Sequence, residues 1–417
     1  AGLEVSIISL SAAARACETG RKWELSLHWL RNAGSFAGSR WQDTLRRLRE
    51  LSPQELSQVV RAQAKSAELS RTSVLVVQAA RPRLEEFRPR ELATLIWSFA
   101  TAAAVDTTFL HDASSQVASQ LDSGSGGGLS LRGLADFAWA LGASSSFGAA
   151  EAEELLPLWE SVQRELLRRL QERAPEDFAS KAPAEVADFA SKVLVVLSAC
   201  NLSGFLLDGT VQLARQTLLS LGRALQRLRA PQRSETPGLA EWQRAEGPAT
   251  PGQPRVVLDL ADMLVVQKPP GWQVDDGKDE PDPDAGRGGE RLSSFVQSLL
   301  PVKRWPILGE TTHQRGFIHR LDVPTSGLIL VAKTYDAYYD LQLQLVTGKM
   351  PREYVVLCHG WVNPKRREIQ ARVQWGAHGR DAASSVSLSG RPSRTKLKVL
   401  AHALLGGQAF SLLAIRI

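Results

Sequence analysis

The apolar residues of this chain change their spacing near residue 230, and that change requires two kinds of structure in one polypeptide. Up to that point apolar side chains recur three and four residues apart among many Ala, Leu, Arg, Gln and Glu, the spacing of helices. Residues 230–255, beginning APQRSETPGLAEWQ and continuing RAEGPATPGQP, are rich in Pro, Gly and polar residues, which is linker composition. Beyond them come short apolar runs with β-branched residues: VVLDL, MLVVQK, LILVAKT, EYVVLCHGWV, KLKVLAHAL and FSLLAIRI. SSFVQSLLP between them reads as a short helix. The expected organisation is a helical region over 1–229, a linker over 230–255 and a mixed α+β domain over 256–417.

The helical region contains a weak internal repeat. ELSQVVRAQA from Glu55, ELATLIWSFA from Glu91, GLADFAWALG from Gly133 and EVADFASKVL from Glu185 align, with Trp97 and Trp139 in the same register. Pro53, Pro89 and Pro183 precede or open three of these units, as prolines do at helix starts. The units begin 36, 42 and 52 residues apart, and the longer gaps hold Ser123–Ser130 and the Arg173–Pro183 stretch as insertions. A base period in the high thirties predicts stacked helical hairpins, an α-solenoid. Residues 1–36 resemble one pentatricopeptide-type hairpin, and residues 53–225 are similar to octotricopeptide-like and related organellar RNA-binding repeats. That likeness implies RNA or protein partners for the repeats, and a mitochondrion or chloroplast as compartment with the cytoplasm as alternative. A plain helical scaffold is the other reading of the same pattern.

Bulk properties exclude some classes. The net charge is +6 with a pI near 9.3, a balance that suits an acidic partner such as RNA. The three cysteines Cys17, Cys200 and Cys358 lie far apart and form no CxxC, so neither a zinc site nor a disulfide framework is expected. No apolar run approaches the roughly 18–20 residues of a membrane span. GSGGG at Gly124–Gly128 lacks the preceding strand and following GK[ST] of a phosphate loop. The acidic stretch Asp275–Arg291 lacks the offsets of a calcium loop and reads as a solvated insertion.

The chemistry concentrates in Gly316–Thr334, GFIHRLDVPTSGLILVAKT. Arg320 and Asp322 are two residues apart, so an extended segment would place both side chains on one face. A guanidinium beside a carboxylate keeps it ionised and orients it. Thr325, Ser326 and Gly327 form a polar turn, and LILVA returns to the core. An acid displayed on a loop between buried strands is what a catalytic carboxylate needs. Taken alone, HRLD also fits a structural ion pair at a strand end.

The surrounding residues make this segment resemble the signature of RluA-type RNA pseudouridine synthases, G-x-x-HRLD-x-x-TSG followed by an aliphatic strand. Upstream, DMLVVQKPPG (Asp262–Gly271) is similar to the family's opening strand and turn. Downstream, REYVVLCHG (Arg352–Gly360) is similar to its tyrosine-bearing strand. LSSFVQSLL (Leu292–Leu300) and SRTKLKVL (Ser393–Leu400) match elements between and after these motifs. The resemblance covers 256–417 and implies an α+β fold with a largely antiparallel sheet. It implies Asp322 as the catalytic aspartate acting on the ribose of the target uridine, with Arg320 paired to it. It implies Tyr354 as the residue packing against the flipped uracil, where an ordinary strand tyrosine is the alternative. Thr325 and Lys268 are further candidates for substrate binding; Lys268 either meets phosphate or braces the turn Pro269–Gly271. His319 carries no acid–base duty in the family and reads as structural or as an RNA contact.

The implied reaction breaks the C1′–N1 bond, rotates the uracil and joins C1′ to C5, which needs no metal or organic cofactor. Whether Asp322 attacks C1′ or removes the C2′ proton stays open. The family continues past the FSLLAIRI strand into a T-G-R-x-H-Q-x-R segment, whereas this sequence stops at Ile417, so an incomplete, C-terminally truncated domain is expected. No S4-like module precedes the domain. The alternative is a non-catalytic RNA-binding scaffold. A glycoside hydrolase lacks its second acid.

Overall fold

Several helices of the N-terminal region start where the sequence supplies a cap or a proline. The computed structural model describes residues 39–417 apart from 66–68, 103, 105, 124–127, 145–151, 173–181, 230–251, 276–289, 375–383 and 387–390. The hairpin expected over 1–36, Cys17, most of the linker and most of Asp275–Arg291 fall outside the described residues. The helices are α1 (Ser39–Glu50), α2 (Pro53–Lys65), α3 (Leu69–Ala80), α4 (Pro89–Ala102), α5 (Thr107–Ser123), α6 (Leu131–Ser144), α7 (Ala152–Gln171), α8 (Pro183–Leu202) and α9 (Asp208–Arg229). Pro53, Pro89 and Pro183 are the first residues of α2, α4 and α8, where their missing N–H costs nothing. At α2, Ser52 and Glu55 form a reciprocal capping box: the Glu55 N–H donates to Ser52 Oγ at 3.3 Å and the Ser52 N–H to Glu55 Oε2 at 3.1 Å. Asp106 and Ser130 accept from the Phe109 and Gly133 N–H groups, both at 3.0 Å, and so cap α5 and α6.

The aligned segments share their burial as well as their letters. Leu56, Leu92, Leu134 and Val186 are each 0 % exposed, and four positions on, Val60, Ile96, Ala138 and Ala190 are buried too. One turn of spacing puts both sets on the inner side of each helix. Among the described residues, no helix is long and apolar enough to cross a membrane.

Two compact units result. One comprises Ala1–Glu165, Ala199–Phe205 and Pro351–Ile417; the other comprises Leu166–Ser198 and Leu206–Met350. In the first, α2 packs on α4 and α4 on α6. The same unit holds a sheet of β4 (Glu353–His359), β5 (Glu368–Gln374), β6 (Ser385–Val386), β7 (Arg391–Leu405) and β8 (Gln408–Arg416), in the order β4-β8-β7-β5-β6. Every pairing in it is antiparallel, with a bulge in β7 between Val399 and Ala401.

The second unit centres on an antiparallel sheet in the order β1-β2-β3, with β1 (Arg255–Asp259), β2 (Met263–Lys268) and β3 (Gly327–Ala332). Leu264 faces Val331 and Val266 faces Ile329 across the ladder, all four with no exposed surface. Two helices follow in this unit, α10 (Leu292–Leu299) and α11 (Tyr335–Val346), the latter capped by Thr334. Helix α9 packs along α11. Their backbones meet at Gly222, where an added Cβ would lie 2.4 Å from the Asp336 Cα. The antiparallel character expected of the C-terminal region is thus present in both sheets, and the N-terminal region is helical as its periodicity predicts.

Candidate active site

Asp322 opens a turn held from beneath by a buried cation. Strand β2 ends at Lys268, in register with Gly327 at the start of β3. The Lys268 side chain is 0 % exposed. Its ammonium donates three hydrogen bonds to carbonyl oxygens, of Pro269 at 3.0 Å, Val323 at 3.1 Å and Thr325 at 2.6 Å. An ammonium has three donors, so all are used. Burial holds this ammonium below the ordinary lysine range, and the negative charge of Asp322 partly opposes that fall. Two further bonds complete the turn. The Thr325 N–H donates to the Asp322 carbonyl at 3.0 Å, and the Gly271 N–H donates to the Val323 carbonyl at 2.8 Å. Gly271 has φ +86°, a left-handed conformation that explains the glycine ending the KPPG turn.

The approach to this turn is also shaped by unusual backbone. Gln314, Arg315 and Gly316 all have positive φ, at 50°, 50° and 82°. Two adjacent non-glycine residues there are strained, and such residues persist only when their surroundings hold them. Arg315 is held: its Nε donates to Asp275 Oδ1 and its Nη1 to the Gly309 carbonyl, both at 3.2 Å. A Cβ on Gly316 would lie 2.4 Å from the Ala332 carbonyl oxygen. The chain then joins β3 through the Ile318 N–H, which donates to Leu330 at 3.1 Å, and HRLD emerges as a loop.

The expected residues divide accordingly. Asp322, Thr325 and Lys268 come together in one turn, with Asp322 exposed and Thr325 half-buried. Lys268 faces inward, so of its two readings the geometry matches the bracing one; its donors are consumed by the loop and none is turned to solvent. Arg320 is exposed, and no ion pair joins it to Asp322 among the described residues. The same-face pairing requires an extended strand, whereas residues 319–322 are irregular and lie outside any strand. Tyr354 belongs to the other unit, half-buried on β4 opposite Ile415. His319 is half-buried beside the turn.

Sequence reasoning missed a polar network below this loop. Glu310 accepts from the Tyr335 hydroxyl at 2.8 Å, contacts His313 Nδ1 at 2.9 Å and meets Arg229 Nε at 3.1 Å. His313 Nε2 lies 3.0 Å from the Tyr339 hydroxyl, and the ring is edge-on to Tyr335, Tyr338 and Tyr339. Burial pushes the Glu310 carboxyl up, but hydrogen bonds with His313 and Tyr335 and the charges of His313 and Arg229 outweigh it and hold it below its usual range. Burial lifts the Tyr338 hydroxyl to about 12. A cavity of about 270 Å³ bordered by His313, Tyr338 and Ser191 adjoins this network and includes none of the HRLD residues. Among the described residues, no group of three or more His, Cys, Asp or Glu is placed to hold a metal ion.

Residues 262–417 match the family model described as RNA pseudouridylate synthase. These residues carry a pseudouridine synthase domain. Among curated proteins, several bacterial enzymes are similar to it. A ribosomal large subunit pseudouridine synthase D of Neisseria meningitidis serogroup A is 31 % identical over 146 residues, which is 35 % of this chain and 35 % of the relative. The protein of the same name from Buchnera aphidicola is 29 % identical over 154 residues, 35 % of this chain and 42 % of the relative. The chain therefore spans roughly two-fifths or less of the length of these relatives. A solved structure titled Human RNA Pseudouridylate Synthase Domain Containing 1 is 22 % identical, covering 41 % of this chain and 61 % of that one at a TM-score of 0.29, an overlap too loose to argue from. Within the synthase domain, β2, the Lys268 turn, HRLD and β3 form one continuous hydrogen-bonded piece.

Proposed function

We propose that the protein isomerises uridine to pseudouridine in RNA, with Asp322 as the catalytic residue. What carries the reading is the ordered set of motifs within the matched residues 262–417, together with the exposed position of Asp322 on a turn anchored from inside. The target uridine leaves its stack, at a cost of a few kcal/mol, and presents its ribose to the carboxylate. The C1′–N1 bond breaks and a C1′–C5 bond forms. The C5 proton leaves and N1 gains one, so atoms and electrons balance within the nucleotide. Asp322 serves this exchange either as nucleophile at C1′ or as base at C2′. Arg320 binds or orients the ribose-phosphate beside it, Tyr354 stacks on the uracil, and Thr325 lines the turn. Lys268 acts through Asp322 by fixing the backbone that displays it.

In this reading residues 1–229 form a helical-repeat region that binds RNA or a protein partner, 230–255 link, and 256–417 modify. Large-subunit ribosomal RNA is the first substrate to try, since the bacterial relatives carry that name; transfer and messenger RNA form the other arms. The test incubates the chain with each transcribed RNA and maps pseudouridine chemically. Asp322→Ala should lower the rate by roughly 10²–10⁴-fold, the contribution of one positioned acid–base group. Equal conversion by the wild-type and Asp322→Ala chains sinks the assignment.

A further inference from the structure

Helices α2, α4 and α6 carry the same three positions on one face. Aligned by their buried leucines Leu56, Leu92 and Leu134, they place Gln54, Arg90 and Arg132 two residues earlier, Gln58, Thr94 and Asp136 two residues later, and Arg61, Trp97 and Trp139 five residues later. Within each helix these are spaced by four and then three, so each trio lies along one side. Because α2 packs on α4 and α4 on α6, the trios form three rows across the stack. One contact ties the rows together: the Arg61 guanidinium lies over the Trp97 ring, 5.5 Å from its centroid.

The burial is uneven in an informative way. Trp159 of the same unit is 0 % exposed, as an indole filling a core should be. Trp97 and Trp139 are only half-buried, while Gln54, Arg61, Arg90 and Arg132 are exposed. Arg90 has a loose neighbour in Glu91 at 3.9 Å and keeps 58 % of its side chain in solvent. Thr94 donates to the Arg90 carbonyl at 2.7 Å, which orients its hydroxyl.

We propose that this face binds single-stranded RNA, with bases stacking on Trp97 and Trp139 and phosphates meeting Arg90 and Arg132. The inference rests on the reading of the chain as an RNA-modifying protein and names the surface that would deliver it. A row of flat rings and guanidinium planes, one per helix, suits unstacked bases, and helical-repeat proteins do bind one base per repeat. In the row beside it, the guanidinium groups of Arg90 and Arg132 suit the phosphates that run beside those bases. None of the nine side chains is aliphatic, whereas a protein interface needs an apolar centre around its aromatic anchors. The charge fits as well, since the chain is basic overall at +6.

The experiment titrates the full chain with a fluorescent single-stranded RNA of mixed sequence and with the same RNA as a duplex. Trp97→Leu and Trp139→Leu should each weaken single-strand binding by about tenfold, the scale of one lost base stack, with helix content unchanged by circular dichroism. Arg90→Gln and Arg132→Gln change only exposed side chains and so test the face even where a tryptophan variant unfolds. Each should reduce the slope of log K against log salt by about 0.7. A quadruple variant with wild-type affinity for RNA overturns the proposed face, leaves pseudouridylation standing and turns this surface over to a protein partner. A wild-type chain that makes pseudouridine but binds single strands no better than duplex overturns it as well. Failure of the modification reading is separate, being read from pseudouridine formation alone.

Discussion

Two places fix the segment that displays Asp322, and they work differently. Above, the turn Asp322–Thr325 is tied to β2 by one buried ammonium. Its three bonds span residues 269 to 325, all within the synthase motifs. Below, the segment 310–316 meets α11 through Glu310 with Tyr335 and His313 with Tyr339, and α11 is in turn tied to α9. Arg229 reaches Glu310, Gln226 accepts from the Tyr335 N–H at 3.4 Å, and Arg215 pairs with Asp340 at 2.7 Å. The upper tie is concentrated and buried, so a single atom group carries it. The lower tie is spread over the contact between two helices and partly solvated, so no single ion pair there is worth much. In the proposed reaction, which must hold one carboxylate still while admitting a bulky RNA, both would help: a stiff anchor next to the acid and a broad support behind it.

The sharpest way to break this contrast is Lys268→Met, which keeps the length of the side chain and removes its charge. The Pro269 and Thr325 carbonyls would lose the ammonium donor and Val323 would keep only the Gly271 N–H, a loss of roughly 2–4 kcal/mol in the stability of the turn. Amide exchange at Thr325 and Gly271, whose N–H groups close the turn, should accelerate, and pseudouridine formation should fall while RNA affinity holds. A chain that keeps its exchange rates at these two amides would show that the ammonium does not hold the turn.

The difference between the two ties also explains what the sequence disclosed. Spacing and motif order mark Asp322, the helix starts and the strands, because local patterns generate all three. The repeat letters reappear as repeated burial at Leu56, Leu92 and Leu134 for the same reason. The inward turn of Lys268 was one of two readings, since a lysine after a strand looks the same whether it meets phosphate or carbonyl. The expected Arg320–Asp322 pair is absent among the described residues: two-residue alternation holds only for extended backbone, and residues 319–322 lie outside any strand. The left-handed pair Gln314 and Arg315 has no letter signature at all. Nor does the packing of α9 on α11, which joins residues more than a hundred positions apart.

That packing is tested by Gly222→Val. Even a methyl group at this position would sit 2.4 Å from the Asp336 Cα and 2.5 Å from its nitrogen. Backbone cannot yield as a side-chain tip can, so the helices must separate. The expected cost is about 1–3 kcal/mol, typical of overpacking, seen as a lower denaturant midpoint and faster exchange along α11. An unchanged midpoint would mean that α9 is a passenger and that the lower tie lies within the synthase motifs after all.

The smallest effect expected is a pH dependence, and it isolates one group of the lower tie. Glu310 has its carboxyl pKa lowered in the folded protein, through His313, Tyr335 and Arg229 acting against burial. The unfolded chain, with an ordinary glutamate near pH 4.3, therefore binds the proton more readily. The sign follows from linkage: where the unfolded state holds more protons, stability rises with pH. The contribution of Glu310 is present in full above the ordinary glutamate value and is lost as pH falls through the depressed folded one. Glu310→Gln keeps the shape and removes the charge, so at pH 7 it should cost roughly 1–2 kcal/mol, the worth of hydrogen bonds to a charged acceptor. As pH falls through the depressed folded value the two proteins should converge in denaturant midpoint, because protonation then does to the wild type what the substitution does. A gap that stays constant from pH 7 to pH 3 would place the stabilisation in packing around His313 and the three tyrosines, and the lower tie would then be steric where the upper one is electrostatic.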